Sequence, residues 1–524
     1  MAGFFTRSKN DMRYLFANKD KLSKKERRRK RRGWATVIGL LLVLIQTVLT
    51  VLVLKNIIVL DILPTKYMIV ITLFLIFVLL YDFTSQFSKT KFLGKLIAIV
   101  LSFVMLYCYI FSAKVVETLT SISDITTRTD VINVVVLADD KADDITDTAK
   151  YTYGYCNTTD IEIYETAISQ INSTYGISPE INTLDEWDNV ITELYTNTDI
   201  QAMLVSDEML SSLEEIYTSL SSDIKIIGSI EVVTEIEVSK SSSVSASDPF
   251  IIFVTGNDDY GTVKYNGHSD VNILVIVNPK TRQVLLVSTP RDSYVSVTTD
   301  SGTTGMEKLT HAGNYGVDNT EAVIENLYGI DIDYFIRLNF TGCIGVVNAL
   351  GGITVNSEVA FTNGDNAWYE NYTFVEGEND LTGEMTLAFV RERLAFTNGD
   401  FQRGRNQLAA IKGIINKATS SAILTNYASV LDAVSDMILT DMPTSFITKL
   451  VKEQLSDSTE WNIQSYSLTG STGPANGELT GLKGMSVVFL DSDSINTAIQ
   501  LISKTINGDV FDVDEYVESL TTSE

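Results

Sequence analysis

The chain has 524 residues, long enough for two or three domains with extra segments, and a formal net charge of −26. That charge is divided unevenly: residues 1–33 hold 13 Lys/Arg and 3 Asp/Glu, whereas the other 491 residues hold 27 and 63. A basic head on an acidic body points to two compartments and argues against a nucleic-acid-binding body.

The head runs into apolar segments. "KKERRRKRR" (Lys24–Arg32) precedes Trp34–Leu54, 21 residues without a charge and enough to cross a ~30 Å hydrocarbon core. No helix-turn-helix or zinc pattern accompanies the basic run, so membrane topology and anionic lipid explain it more cheaply than nucleic acid. No small-residue cleavage site follows, and the segment is expected to remain in the protein. Tyr67–Tyr81 has 15 uncharged residues between Lys66 and Asp82, and Leu96–Ala113 has 18 between Lys95 and Lys114. The shorter one is compatible with a buried core helix or with a span whose ends snorkel. Basic residues before the first segment, and Lys89, Lys91 and Lys95 before the third, predict a cytoplasmic N-terminus, three transmembrane helices over 34–114 and an exterior beyond. Cys108 falls inside a span, and Cys156 and Cys343 are read as free thiols.

Residues 124–240 read as an α/β accessory domain. "VINVVVLA" (Val131–Ala138) has the run of a buried strand, "EWDNVITELY" (Glu186–Tyr195) has helical spacing, and "IQAMLVSDEML" (Ile200–Leu210) reads as a strand entering a helix. The acidic residues of this domain are scattered and are expected to form a solvated face. Ser-rich residues 241–249 make a linker. Residues 250–508 then form the larger domain. It opens with "FIIFVTG" (Phe250–Gly256), followed by two strands in Val271–Pro290 with a turn at Asn278–Arg282, helices at Asn319–Tyr328 and Thr341–Leu350, and a strand at "GGITV". The fold class expected is mixed α/β, a central sheet flanked by helices. The acidic tail, 509–524, is expected to be loose.

Charged residues gather at element ends. Asp258 and Asp259 follow the first strand of this domain, Asp270 precedes the second, and Arg291 and Asp292 follow the third in "TPRDSYV". "FVRERLAFTNGDFQRGRNQ" adds Arg391, Arg393, Asp400, Arg403, Arg405 and Gln407. Arg391 and Arg393 alternate on what reads as an extended stretch and so point the same way. Asp400 reads as an N-cap, and Arg403 and Gln407 share a helix face. Arginines of common direction form a fork for phosphate oxygens, and carboxylates at neighbouring strand ends suit a hard divalent cation. Surface salt bridges are the plain alternative, but exposed pairs contribute only ~0–1 kcal/mol and leave the clustering unexplained.

"TPRDSYV", "KLTHAGNYG" (Lys308–Gly316) and "VRERLAFTNGDFQRGRNQ" resemble the signature blocks of the LytR–CpsA–Psr family over residues 250–420. The three-span layout with an accessory domain is similar to the streptococcal capsule-type branch. The resemblance implies a phosphotransferase that attaches a glycopolymer, carried on undecaprenyl pyrophosphate, to peptidoglycan, with other capsule-assembly proteins as further partners. It implies Mg²⁺ or Mn²⁺ at Asp258 and Asp270. It also implies pyrophosphate binding by Arg291, Arg391, Arg393, Arg403 and Gln407, with Asp400 in support. Catalysis falls on Asp258, Asp270, Arg291 and Arg391. His268 departs from the pattern by standing where the family has arginine, and a mostly neutral imidazole puts a phosphate contact there in doubt. His311 is expected to be structural. No serine or cysteine nucleophile is evident, so direct attack by a sugar hydroxyl is favoured, with Asp258 or Asp270 as base. A regulator without chemistry and a pyrophosphatase are the competing functions. The lipid requires an apolar cavity beside the arginines, with Ala322–Leu327 and Ile344–Leu350 as expected walls.

Overall fold

The computed structural model describes all residues except 1–8, 88–90, 123–126, 158–160, 236–243, 300–301, 365–369, 421–429, 431–436, 458 and 522–524. Residues 241–243 of the serine-rich linker therefore lie outside the described residues. The chain divides into two units, residues 1–121 with 444–458, and residues 122–443 with 459–524.

In the first unit, α1 (Lys24–Leu60), α2 (Thr65–Ser85) and α3 (Lys91–Ile122) are each long and apolar enough to cross a membrane. The basic run opens α1, where cations oppose the helix dipole. A capping box offsets this: Ser23 Oγ accepts from the Glu26 N–H, and Glu26 Oε2 accepts from the Ser23 N–H at 2.9 Å. The second of these helices, short in charge-free residues, has 21 helical residues because Thr65, Lys66 and Asp82–Ser85 extend the apolar stretch. At 1.5 Å per residue that is about 30 Å. Leu41, Phe77 and Phe103 face outward uncovered, while Val53, Leu75 and Met105 pack together.

The second unit has two lobes. The smaller contains β1 (Thr127–Leu137), β2 (Thr152–Cys156), α4 (Ile161–Tyr175), β3 (Glu180–Leu184), α5 (Trp187–Thr196), β4 (Ala202–Ser206), α6 (Asp207–Ile216) and β5 (Ile224–Glu235). Its sheet runs β3-β2-β4-β1-β5. Its core closes around fully buried Trp187, with Tyr164 and Tyr155 stacked beside it, and takes in Leu482, Met485 and Val487 of the larger lobe.

The larger lobe is built on β6 (Phe250–Gly256), β7 (Val271–Asn278), β8 (Gln283–Ser288), β9 (Tyr294–Thr298), β10 (Thr304–Lys308), α7 (Val317–Tyr328), β11 (Tyr334–Leu338), α8 (Phe340–Ala349), β12 (Ile353–Ser357), β13 (Gly377–Leu381), α9 (Gly383–Arg391), α10 (Gly399–Ala418), β14 (Ile438–Thr440), β15 (Asn462–Ser467), α11 (Ser492–Asn507) and α12 (Val513–Thr521). The central sheet runs β14-β11-β6-β7-β8-β15, with β11/β6 and β8/β15 parallel and the other pairs antiparallel. β6, β7 and β8 are buried almost throughout, as strands covered on both faces must be. Phe253, Leu274 and Leu285 pack on Val323, Ile324 and Leu501 of α7 and α11. Ala322–Leu327 thus belongs to the core on that face. Helices α8, α9 and α10 lie over the other, packed through Val346, Val347, Phe389 and Ala410. Gly383 lets α9 rest on α8, since a Cβ there would lie 2.4 Å from the Ile344 carbonyl oxygen. The acidic tail differs from expectation: it carries α12, whose Val513 is buried and whose Tyr516 and Val517 pack on the core with Phe511.

Several acids of the smaller lobe do not form a solvated face. The buried Arg128 guanidinium donates to Asp130 Oδ1 at 2.8 Å and to the Tyr315 carbonyl at 3.1 Å, and Asn266 donates to the same Asp130 oxygen at 2.7 Å. Glu208 accepts from Asn266 at 3.3 Å. Burial holds the Glu208 carboxyl up at about 7, with the charges of Asp130 and Asp207 adding to the rise and Lys264 opposing it. From the ordinary value of 4.5 up to about 7, the folded chain keeps a proton that the unfolded chain has released. Stability therefore falls as pH rises across that window. Glu208→Gln removes this contribution. In denaturant unfolding of the full chain in detergent, the variant should lose less stability between pH 5 and 7.5 than the parent, and equal losses would refute the assignment.

Candidate active site

The pocket forms where β6 and β11 end, β7 begins, and α8, α9 and α10 close over them. Its lining includes Asp258, Asp270, Arg391, Arg393, Arg403 and Gln407 at a polar end, and Val254, Leu338, Phe340, Cys343, Leu387, Val390, Ala410, Ile411 and Ile414 elsewhere. One helix gives both characters. Along α10, Arg403, Gln407, Ala410, Ile411 and Ile414 recur at helical spacing, polar in the first half and apolar in the second. Of the expected walls, Ile344–Leu350 does not line the pocket, but Phe340 and Cys343 of the same helix do.

Arg391 is the last residue of α9, not part of an extended stretch. Thr382 caps this helix, Leu387, Ala388 and Phe389 are buried, and a cation in the final turn suits the helix dipole. The guanidinium lies 4.1 Å from the Phe340 ring centroid and 3.8 Å from Asp258 Oδ2. Such a cation–π contact is worth ~0.5–2 kcal/mol. Tyr260 supports Phe340 edge-on at 5.0 Å. The chain then turns at Glu392, a residue without an assigned role in the sequence reading. Its carboxylate accepts from the Gly364 N–H at 2.8 Å and the Ala395 N–H at 2.9 Å, fixing the bend between two arginines. Gly399 is required where α10 begins, because a Cβ would lie 2.3 Å from the Arg393 carbonyl oxygen.

Asp400 sits within the first turn of α10 rather than at the N-cap, which is Asn398. It does not line the pocket. Its Oδ1 lies 3.3 Å from Arg393 and 3.8 Å from Arg403, tying the two together. Arg403 is buried, and burial leads the lowering of its pKa, with the charges of Arg291 and Arg393 adding to it. Arg405 points away from the pocket to Glu358, at 2.7 Å.

The two pocket carboxylates differ in electrostatics. Burial alone would raise Asp270, but the charge of Arg291 and its 2.6 Å hydrogen bond hold it down at about 2. The Asp258 N–H donates to Asp270 at 3.3 Å. Desolvation by the cleft and the charge of Asp270 hold Asp258 up at about 6. Its side chain still keeps 45% of its surface open, so solvent screens part of that repulsion. The charge of Asp270 raises the cost of ionising Asp258, and these two cleft carboxylates are the residues that could hold a hard divalent cation. Asp259 lies outside the lining and reaches Lys264 at 4.0 Å.

Arg291 stands behind Asp270 and is not a lining residue. Asp292 is 3.7 Å from it and 3.3 Å from Lys308. His268 does not line the pocket either. Its Nε2 bonds to Ser212 Oγ at 2.8 Å, and burial first, with the charges of His311 and Arg291, lowers it to about 4. It is therefore a neutral ring at pH 7. His311 is buried, and its Nδ1 meets Glu307 Oε1 at 2.9 Å. Burial pushes the Cys343 thiol up to about 12, so no thiolate is available in the pocket wall. All three cysteines are free.

The LytR_cpsA_psr family model matches residues 209–501. Among known proteins, the chain is 36% identical over 196 residues to the polyisoprenyl-teichoic acid–peptidoglycan teichoic acid transferase TagU of Bacillus licheniformis, covering 37% of this chain and 60% of that protein. It is 34% identical over 226 residues to the TagU of Enterococcus faecalis, covering 42% and 71%. Thus the chain spans about three fifths of the length of the former. The solved structure of Bacillus subtilis TagV superposes with a TM-score of 0.41 at 25% identity, over 50% of this chain and 98% of that one. A match across more than half of its length makes this chain a member of the LytR–CpsA–Psr family.

Proposed function

We propose that this protein is a membrane-anchored transferase that moves a glycopolymer from a polyprenyl diphosphate carrier, undecaprenyl pyrophosphate in the simplest case, to peptidoglycan outside the cell. The observation carrying this reading is the pocket itself: one helix face changes from Arg403 and Gln407 to Ala410, Ile411 and Ile414, as a diphosphate joined to a hydrocarbon requires. The activity for which the TagU relatives are named, transfer of polyisoprenyl-linked teichoic acid to peptidoglycan, supports it. The resemblance of the three-span layout to the capsule-type branch makes a capsular polymer the proposed cargo.

In this reading Arg391, Arg393, Arg403 and Gln407 hold the diphosphate oxygens, with Asp400 fixing two of the arginines and Arg291 acting through Asp270. A sugar hydroxyl of peptidoglycan attacks the phosphorus that bears the glycan. The new O–P bond forms as the phosphoanhydride P–O bond breaks, and polyprenyl monophosphate leaves. The hydroxyl proton passes to a carboxylate. In the metal-free chain Asp258 suits that role better than Asp270, since a group near 6 accepts a proton more readily than one near 2. Asp258 and Asp270 would also hold Mg²⁺ or Mn²⁺, which when bound neutralises phosphate charge. Arginines converging on the phosphates stabilise the negative charge that develops in transfer.

Arg391→Ala should lower transfer by roughly 10²-fold, since each charge-assisted hydrogen bond contributes ~1.5–3 kcal/mol and ~1.4 kcal/mol is tenfold in rate. Arg391→Lys should restore only part, keeping charge without the fork. The assay gives the full chain a polyprenyl-diphospho-glycan, Mg²⁺ and peptidoglycan, and identifies products by mass spectrometry. Glycan phosphate released into water would favour a pyrophosphatase, and no product from the wild type would favour a regulator without chemistry. Undiminished transfer by Arg391→Ala would refute the site.

The localisation has its own check. A reporter joined after residue 120 should lie outside the cell and one near Lys89 inside, following the basic residues. A cytoplasmic C-terminal reporter would overturn the extracellular reading.

A further inference from the structure

The smaller lobe reaches the site through one helix. On α6, Glu208, Ser212 and Glu215 are spaced four and three apart and so share a face. All three meet the larger lobe: Glu208 at Asn266, Ser212 at His268, and Glu215 at Arg291 and Lys308. Asn266 to Asp270 is the stretch that delivers Asp270 to the pocket. The helix therefore lies along this stretch as a splint, touching it twice, and then touches the arginine that binds Asp270.

The contacts around Arg291 form a closed ring of alternating charge. Arg291 lies 3.6 Å from Glu215 Oε1, Glu215 Oε2 is 3.3 Å from Lys308, Lys308 is 3.3 Å from Asp292, and Asp292 is 3.7 Å from Arg291 Nε. The remaining guanidinium nitrogen, Nη1, donates to Asp270 at 2.6 Å. One nitrogen is hydrogen-bonded to Asp270, and the other two lie at ion-pair distance from Glu215 and Asp292, so three carboxylates surround the fork electrostatically. Only 11% of the Arg291 side chain and 8% of the Lys308 side chain are exposed. Water is a poor substitute there for a missing anion. Glu215 is the one ring member from outside the larger lobe.

We propose that the accessory lobe is a working part of the diphosphate site, and that Glu215 is a positioning residue that holds Arg291 in register with Asp270. This rests on the diphosphate reading of the pocket. It gives the lobe a task within the reaction and explains why a neutral histidine is tolerated at position 268: that residue faces Ser212 on the splint rather than the phosphates.

The test measures the affinity of the full chain in detergent for farnesyl diphosphate by titration calorimetry. Glu215→Ala should weaken binding about tenfold, equivalent to ~1.4 kcal/mol. Glu215→Asp should restore part of it, and Glu215→Ala should add nothing in an Arg291→Ala background, because the effect passes through that arginine. Glu215→Gln, which keeps shape and loses charge, carries the same expected direction if the alanine variant does not fold. Binding unchanged or tightened in Glu215→Ala or Glu215→Gln, while Arg391→Ala weakens it, overturns the positioning role and leaves the diphosphate reading standing. Equal losses with and without Arg291 overturn it as well, marking a merely structural contact. Binding unaffected by Arg391→Ala would instead defeat the diphosphate reading on which the inference stands.

Discussion

Asp270 is a carboxylate that burial alone would neutralise, and it stays ionised because Arg291 bonds to it at 2.6 Å. A buried ion pair of this kind is costly to assemble, and its desolvation is repaid only when the remaining donors and acceptors are also satisfied. Much of the surrounding architecture meets that requirement. Asp292 and Glu215 lie at ion-pair distance from the other guanidinium nitrogens, Lys308 bridges those two carboxylates, and Thr310 Oγ1 and the Asp258 N–H approach Asp270. The ionised Asp270 then sets the state of Asp258, whose carboxyl rises because a second charge beside the first is unfavourable. From one ion pair follow the unequal pair of acids in the pocket and the need for a second lobe to close the ring behind it.

The sheet places these groups without strain. Strands β6 and β11 are parallel and end side by side, while β7 runs the other way and begins beside them. Asp258, Asn339 and Asp270 thereby converge on one rim. The arginines come from elsewhere, on α9 and α10, whose approach depends on small residues. At Gly383 and Gly399 a side chain would strike backbone oxygen, and such a collision cannot be relieved by a rotamer change. The pocket thus joins a rim set by strand register to a roof set by close helix packing.

Strands such as Phe250–Gly256 and the pair in Val271–Ser288 were legible because unbroken β-branched and apolar runs bounded by turn residues have few other uses. The gathering of Asp258, Asp270, Arg391, Arg393, Arg403 and Gln407 was legible from charges standing at element ends. Arg391 ends a helix instead of lying on an extended stretch because the Thr382 cap and the buried Leu387–Phe389 run outweigh its alternation with Arg393. Asp400 missed its N-cap position by two residues, within the ordinary uncertainty of helix ends. Glu208 and Glu215 read as solvated acids because their partners lie 58 to 93 residues away in sequence and carry no local signal. The phenylalanine beneath Arg391 was equally silent, since one aromatic residue at a helix start looks like core.

The change of character along α10 has a kinetic consequence under the proposed transfer. Breaking the phosphoanhydride alters only the end of the ligand that faces Arg403 and Gln407. The hydrocarbon against Ala410, Ile411 and Ile414 is the same before and after. Apolar contact of that kind is uniform binding, which holds substrate and spent carrier alike and does nothing for the chemical step. The spent carrier then leaves by giving up phosphate contacts, having lost one phosphate from the diphosphate, while its tail passes back to lipid. Turnover would accordingly slow as the prenyl chain lengthens past what the pocket needs for capture, and short-chain donors would trade affinity for faster exit.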